Sequence, residues 1–229
     1  MATLSRPGIA PGEYYHLLNR GAGKQTTFLD KSDWQRFLFS ILYLQSPEPF
    51  KNIARISSQF SPNIGFPVPI DTLARILESR FVELVSFCLM PNHFHLLVRE
   101  KEEGGIAKYM QRVGDGYTKY FNTKHDRTGH VFQGPYKAVH VKSNRQLLYL
   151  SSYIHRNPRG LHEWKGWEFE YPWSSLQDFA TANRWGGLIV PDIIVGQFDT
   201  TKNSNYADFV RMSTAKLLEE ELPELKEIN

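Results

Sequence analysis

Two apolar, β-branched and aromatic runs joined by a two-residue turn constrain this chain most. Phe81 to Met90 (F-V-E-L-V-S-F-C-L-M) and His93 to Arg99 (H-F-H-L-L-V-R) flank Pro91-Asn92. Runs of this composition read as strands, and a turn pair between them reads as a hairpin. An antiparallel hairpin near the middle of the chain sets a sheet as the organising element, and the other segments have to cover its faces.

The segments around the hairpin follow the same logic. Glu13 to Asn19 reads as a strand that ends at the glycines of Arg20 to Gly23. Asp30 or Ser32 offers an N-cap to a helix whose Trp34, Phe37, Leu38, Ile41 and Leu42 recur at spacings of three and four. Lys51 to Ile70 is polar and holds Pro62, Pro67 and Pro69, so it reads as a loop or insertion, followed by a short helix over Asp71 to Glu78. Ile106 to His125 has one apolar face and fits a helix, although Gly114 and Gly116 weaken its middle. A glycine-punctuated loop over Gly129 to Pro135 leads to a strand at Tyr136 to Val141, and Ser143 caps a helix that runs to Asn157 before Pro158. The order strand, helix, strand, strand, helix, strand, helix predicts an α+β domain with one antiparallel sheet covered by helices. Beyond Gly160 the text turns aromatic and loop-like, and the last thirty residues read as a helical, acidic appendage.

Composition narrows the class. The 229 residues are 41% hydrophobic and 22% charged, the balance of a soluble globular protein with enough chain for a real core. Cys88 is the only cysteine, which excludes an intramolecular disulfide and any cysteine-based zinc site. No apolar run approaches a membrane span and Met1 to Gly12 has no apolar signal core, so a cytoplasmic protein without a membrane partner is expected. The net charge of +3 conceals an asymmetry. Between Lys108 and Gly160 ten basic residues face only Asp115 and Asp126, whereas acids outnumber bases after Thr201. A basic middle interleaved with Tyr117, Tyr120, Phe121, Phe132 and Tyr136 suits a phosphate backbone and unstacked bases; a lysine-rich solvated surface reads the same way.

Two constellations carry chemistry. On a strand, His93 and His95 project from one face while Phe94 enters the opposite layer, so the pair forms two legs of a metal site but not a whole one. Tyr149, Tyr153 and Asn157 recur every four residues on the helix after Ser143, which puts a phenol and an amide on one face a turn apart. A tyrosine hydroxyl is a nucleophile toward phosphate, and an amide oxygen is a hard ligand for a divalent ion; core tyrosines and a helix-ending asparagine would have the same spacing. His16, His125, His130, His140, His155 and His162 are scattered and read as ordinary, with His125 and His130 in a basic loop.

Five segments in order carry a resemblance: L-M-P-N-H-F-H-L-L-V in the hairpin, Y-T-K-Y-F-N at Tyr117 to Asn122, G-H-V-F-Q-G-P-Y-K at Gly129 to Lys137, Y-I-H-R-N-P at Tyr153 to Pro158 and Y-P-W-S-S at Tyr171 to Ser175. Over roughly Tyr14 to Phe179 the chain resembles the REP-associated tyrosine transposases, within the single-tyrosine HUH transposases of insertion-sequence type. The resemblance implies a ferredoxin-like antiparallel sheet covered by helices, with a catalytic domain over residues 1–180 and a partly helical, acidic C-terminal extension over 181–229. It implies Tyr153 as nucleophile and His93, His95 and Asn157 as ligands of Mg²⁺ or Mn²⁺. It also implies single-stranded DNA and DNA hairpins as partners, a 5′-phosphotyrosine intermediate, and action as a monomer or a homodimer. Arg127, Lys137, Arg156 and Arg159 are the phosphate contacts expected from the basic middle, and Tyr117, Phe121 and Phe132 are available to stack bases or to pack in the core.

Two other functions fit the same residues: a domesticated, non-catalytic regulator that binds hairpin DNA, and a metal-dependent hydrolase in which the H-F-H pair joins another histidine and water attacks. No G-x-x-x-x-G-K-S/T occurs, so a P-loop nucleotide step is not expected.

Overall fold

In the computed structural model, residues 8–62, 64–198 and 205–223 are described. The hairpin is present. Strand β2 (Val82–Met90) and strand β3 (His93–Glu100) pair antiparallel across Pro91 and Asn92, with one register shift between Leu84 and Ser86. Strand β1 (Tyr14–Arg20) pairs with the other side of β3, and β4 (Lys137–Val141) pairs with β1. The result is a four-stranded antiparallel sheet in the order β2-β3-β1-β4, which is the ferredoxin-like arrangement.

Alternation along the strands divides the sheet into two faces. Tyr15, Leu17, Phe94, Leu96 and Val98 enter one core with α1 (Lys31–Tyr43) and α4 (Gly105–Lys124). Helix α1 starts where the Asp30 carboxylate accepts from the backbone N–H groups of Ser32 and Asp33, so Asp30 and not Ser32 is the cap. Gly114 and Gly116 do not break α4, because the helix is held by the buried Tyr109, Met110, Val113, Tyr117 and Phe121.

The stretch read as a loop contains a short helix, α2 (Ile53–Ser58), and its Phe60 and Phe66 are buried in the same core. Those two rings stack against Trp185, which anchors the segment despite its prolines. Helix α3 (Ile70–Glu78) follows, with Ile76 buried.

Leu97, Val141 and the apolar side of α5 (Asn144–Arg156) build the second core on the other sheet face. Helices α6 (Leu176–Ala180), α7 (Asp192–Val195), α8 (Tyr206–Met212) and α9 (Ala215–Glu221) supply Leu176, Phe179, Ile194, Tyr206, Val210 and Leu218 to it. The same C-terminal half covers the outer edge of β2, where Leu89 N–H donates to the Trp173 carbonyl, Ser175 N–H to Phe87 and Val190 N–H to Leu84. An edge strand left open would expose this unpaired backbone to other chains. The acidic residues expected at 224–229 lie outside the described residues. No described helix is long and apolar enough to cross a membrane.

Candidate active site

The second sheet face carries a cluster of three histidines, one tyrosine and one asparagine. His93 and His95 sit two positions apart on β3, with ring centroids 5.0 Å apart and planes at 86°. Phe94 points the other way and packs on Phe37 and Phe132. Across the ladder His93 pairs with Arg20 and His95 with Leu18. That register brings His16 of β1 beside His95, with Nε2 2.9 Å from His95 Nδ1 and the rings stacked at 25°. His16 read as ordinary in the sequence because its strand neighbour is 79 residues away; the signal for it is only that a histidine stands at an inward position of a neighbouring strand.

Helix α5 supplies the rest. Its N-cap Ser143 accepts from Gln146 N–H, and the helix ends on Asn157 in a short 3-10 turn that runs to Gly160. Tyr153 stands edge-on to His95, with centroids 5.5 Å apart at 82°, and edge-on to His16 at 6.2 Å. One turn on, Asn157 Nδ2 donates to the carbonyls of Tyr153 and Ile154. With the amide nitrogen committed to the helix, the amide oxygen is the atom left to interact with the imidazoles, and the Asn157 side chain is coupled to both His93 and His95.

The imidazoles are neutral near neutral pH. Burial lowers His16 to about 3, and burial lowers His93 to about 4, with Arg20 adding to the fall and the Asn157 interaction opposing it. His95 lies well below the usual histidine range, through burial first and then its neighbours His16, His93 and Arg20. Neutral nitrogens have lone pairs to offer, so two imidazoles and an amide oxygen form a donor set with the chemistry of a divalent-cation site.

Tyr149 turns away from this cluster: its ring packs on Phe209 and under the Arg145 guanidinium. Tyr120 lies across the sheet on α4, where its hydroxyl bonds Asp33. His155 is buried on α5, between the Tyr206 hydroxyl at 2.7 Å and the Ser175 hydroxyl at 2.8 Å.

The basic residues divide by surroundings. Lys137 pairs with Leu18 at the His95 end of the same sheet face. Arg127 is exposed, donates to Gln25 and lies over the Phe121 ring. Arg156 donates to the Val210 carbonyl at 2.8 Å, and Arg159 forms an ion pair with the buried Glu168, so both half-buried guanidinia already have partners within the chain. Arg20, absent from the sequence-based set, is close enough to His93 and His95 to affect both electrostatically. Tyr117, Phe121 and Phe132 are buried, so of the two expected roles, base stacking and core packing, they take core packing: Tyr117 and Phe121 lie on the apolar face of α4 and Phe132 packs from the loop that follows it.

A second group of ligand-type side chains, Asp30, Asp33 and His125, lies at the junction of α1 and α4. The Lys124 ammonium sits among them, 2.6 Å from Asp30 and 2.8 Å from Asp33, so these carboxylates already hold a cation and tie the two helices together.

Residues 69–157, which carry the H-x-H pair on an inner strand and the tyrosine helix laid across the sheet, match the family described as "Transposase IS200 like". That segment runs from α3 to the end of α5. More particularly, the chain has the fold of a REP-associated tyrosine transposase: it is similar to the solved "Structure of the REP associates tyrosine transposase bound to a REP hairpin", with a TM-score of 0.51 over 84% of this chain and 93% of that one. Identity is 12%, so the likeness is one of fold. Both findings bear out the resemblance read from the motifs. No curated protein sequence matches the chain significantly.

Proposed function

We propose that this transposase cleaves and rejoins single-stranded DNA next to hairpins through a covalent 5′-phosphotyrosine on Tyr153. The observation that carries the reading is the placement of the Tyr153 ring edge-on to His95, with Asn157 one turn away coupled to His93 and His95. His93, His95 and Asn157 would hold Mg²⁺ or Mn²⁺, which when bound supplies charge neutralisation at the scissile phosphate.

The chain's own groups do the rest. Tyr153 Oη attacks phosphorus and loses its proton; the P–O3′ bond breaks, and the leaving oxygen ends as a 3′-hydroxyl. The new tyrosyl phosphodiester keeps the energy of the old one, so a 3′-hydroxyl can later attack it and rejoin DNA without ATP. Lys137 and Arg20 border the site face and Arg127 lies on the exposed rim; they are the proposed phosphate contacts. Arg156 and Arg159 serve DNA binding indirectly, by fixing α5 against the C-terminal segments. A hairpin partner is supported by the REP hairpin bound to the solved relative.

Residues 1–180 form the proposed catalytic domain and 181–229 an extension, whose described helices α7, α8 and α9 pack on α5. Monomer and homodimer both remain compatible with this reading; the contact of Tyr153 with His95, beside His93, supports a site drawn from one chain. The cytoplasm, where the DNA is, is the proposed location.

The experiment mixes the protein with labelled single-stranded oligonucleotides from the flanks of its own gene and Mn²⁺. An SDS-stable adduct that disappears in Tyr153→Phe is expected, and an adduct that survives that change overturns the assignment. Tight, metal-independent hairpin binding with no adduct on any flank would select the non-catalytic regulator. The histidine cluster gives the hydrolase reading one point in favour, since His16 stands beside the pair, but its Nε2 is already committed to His95 Nδ1. Cleavage without an adduct, unaffected by Tyr153→Phe, would restore that reading.

A further inference from the structure

The strand ladders lay out two rows of residues across the sheet face that carries the histidine pair. In one row His95 stands opposite Leu18, and Leu18 opposite Lys137. In the next row His93 stands opposite Arg20. The regular β1–β4 ladder stops at Leu18 and Lys137, but the loop before β4 meets the chain again just past it. Gly21 and Phe132 form an antiparallel bridge, with Gln133 N–H donating to the Arg20 carbonyl at 2.7 Å and Ala22 N–H to the Val131 carbonyl at 2.9 Å. That bridge extends the second row from His93 and Arg20 to Gln133.

Alternation decides which way Gln133 faces. Its neighbour Phe132 is buried on the opposite side of the sheet, against Phe37 and Phe94. Gln133 is therefore directed to the histidine face, and it is exposed there. With adjacent strands roughly 4.8 Å apart, its backbone stands next to Arg20 and about 10 Å from that of His93. The loop is pinned in place: Gly134 has φ +70°, and its carbonyl accepts from Asn19 Nδ2 at 3.1 Å.

The other amides around the site are committed to the fold. Asn19 Oδ1 accepts from Arg20 N–H, while its nitrogen holds Gly134. Asn92 donates to the Lys24 carbonyl and lies 2.7 Å from His93 Nδ1. Asn157 donates to the Tyr153 and Ile154 carbonyls. The Gln133 amide makes no hydrogen bond among the described residues. It is also neutral, between two cations, Arg20 and Lys137, that suit phosphate. Phosphate oxygens only accept, whereas a base edge offers donors and acceptors together, as an amide does.

We propose that Gln133 reads a base beside the scissile phosphate. Adenine is the two-bond match, with the amide oxygen accepting from its N6 amino group and the amide nitrogen donating to N7. The inference rests on the reading of this face as a site that cleaves single-stranded DNA, and it adds a residue that selects sequence. Arg20 and Lys137 would position the strand, and Gln133 would specify it.

The test uses the full-length protein and single-stranded oligonucleotide pools from the flanks of its own gene, randomised around the foot of each hairpin. Pools are sequenced after adduct capture with Mn²⁺ and, separately, after binding without metal. The wild type should favour adenine at one position by roughly 5- to 100-fold over the other bases. Gln133→Ala should flatten the preference at that position alone and leave the melting temperature unchanged, since the side chain is exposed. Gln133→Glu, whose ionised side chain only accepts, should move the preference toward cytosine, whose N4 amino group donates. A merely structural side chain would not redirect the choice of base. A wild type without the adenine preference, or a base profile unchanged in Gln133→Ala, overturns the inference. A uniform loss on every sequence also overturns it, by making Gln133 a phosphate contact. Adducts with the same profile in wild type and Gln133→Ala leave the cleavage reading standing while this inference falls. A bound pool whose adenine preference is lost in Gln133→Ala, with no adduct on any flank, upholds the inference and overturns the cleavage reading.

Discussion

The Tyr153 ring meets the His95 imidazole edge to face, with centroids 5.5 Å apart and ring planes at 82°. One residue comes from a strand in the middle of the sheet and the other from a helix that packs across it, so the contact depends on how α5 is seated. That seating is secured from behind: His155 bonds Tyr206, Arg156 bonds the end of α8, and Arg145 pairs with Glu221 of α9. A helix with a nucleophile on one side thus has its opposite side tied to the C-terminal helices.

Removing only the hydroxyl of Tyr153 should separate chemistry from structure. Tyr153→Phe keeps the ring that packs on His95 and His16, so stability in urea denaturation should change by no more than about 1 kcal/mol. Adduct formation should be lost completely on the same preparation.

The opposite result is expected behind the helix. The Tyr206 hydroxyl is buried between His155 Nδ1 and Ser151 Oγ, at 2.7 and 3.0 Å. Tyr206→Phe leaves His155 Nδ1 without a partner, while Ser151 keeps its bond to the Leu148 carbonyl, at a cost of roughly 1–3 kcal/mol in urea denaturation. Adduct yield per folded molecule should stay at the wild-type level below the new melting temperature.

Acid should weaken the fold through its buried histidines. Burial lowers both His16 and His155 from 6.5 to about 3. Between those values the unfolded chain takes up protons that the folded chain does not, so stability is full above about pH 6.5 and falls as pH drops toward 3. Each such histidine makes a slope of about 1.4 kcal/mol per pH unit within that window. Urea titrations at about pH 7 and about pH 5 should show the loss, and His155→Gln should remove about one proton's share of it.

Salt dependence should distinguish surface cations from internal ones. Arg20→Ala and Lys137→Ala should each weaken single-stranded DNA binding and flatten the slope of log K against log salt by roughly 0.7 for each phosphate the side chain neutralises. Arg156→Ala, which breaks the bond to Val210, should lower the melting temperature and leave that slope unchanged.

The sequence by itself determined the elements and which residues share a face. Composition and turn chemistry give the hairpin, observed as Val82–Met90 and His93–Glu100 against a reading of 81–90 and 93–99. Strand alternation puts His93 and His95 together, and helical spacing puts Asn157 one turn beyond Tyr153, because both follow from local backbone geometry. Which strands become neighbours is decided by contacts between residues far apart in the chain, and that is where the tertiary structure added what no local pattern holds. It brought His16 and Arg20 to the site through the β1–β3 ladder, turned Arg156 and Arg159 inward to the C-terminal segments, and sent Tyr117, Phe121 and Phe132 into the core. A basic residue in the sequence carries the same charge whether it meets phosphate or a buried glutamate; only the packing of Glu168 against Arg159 decides which.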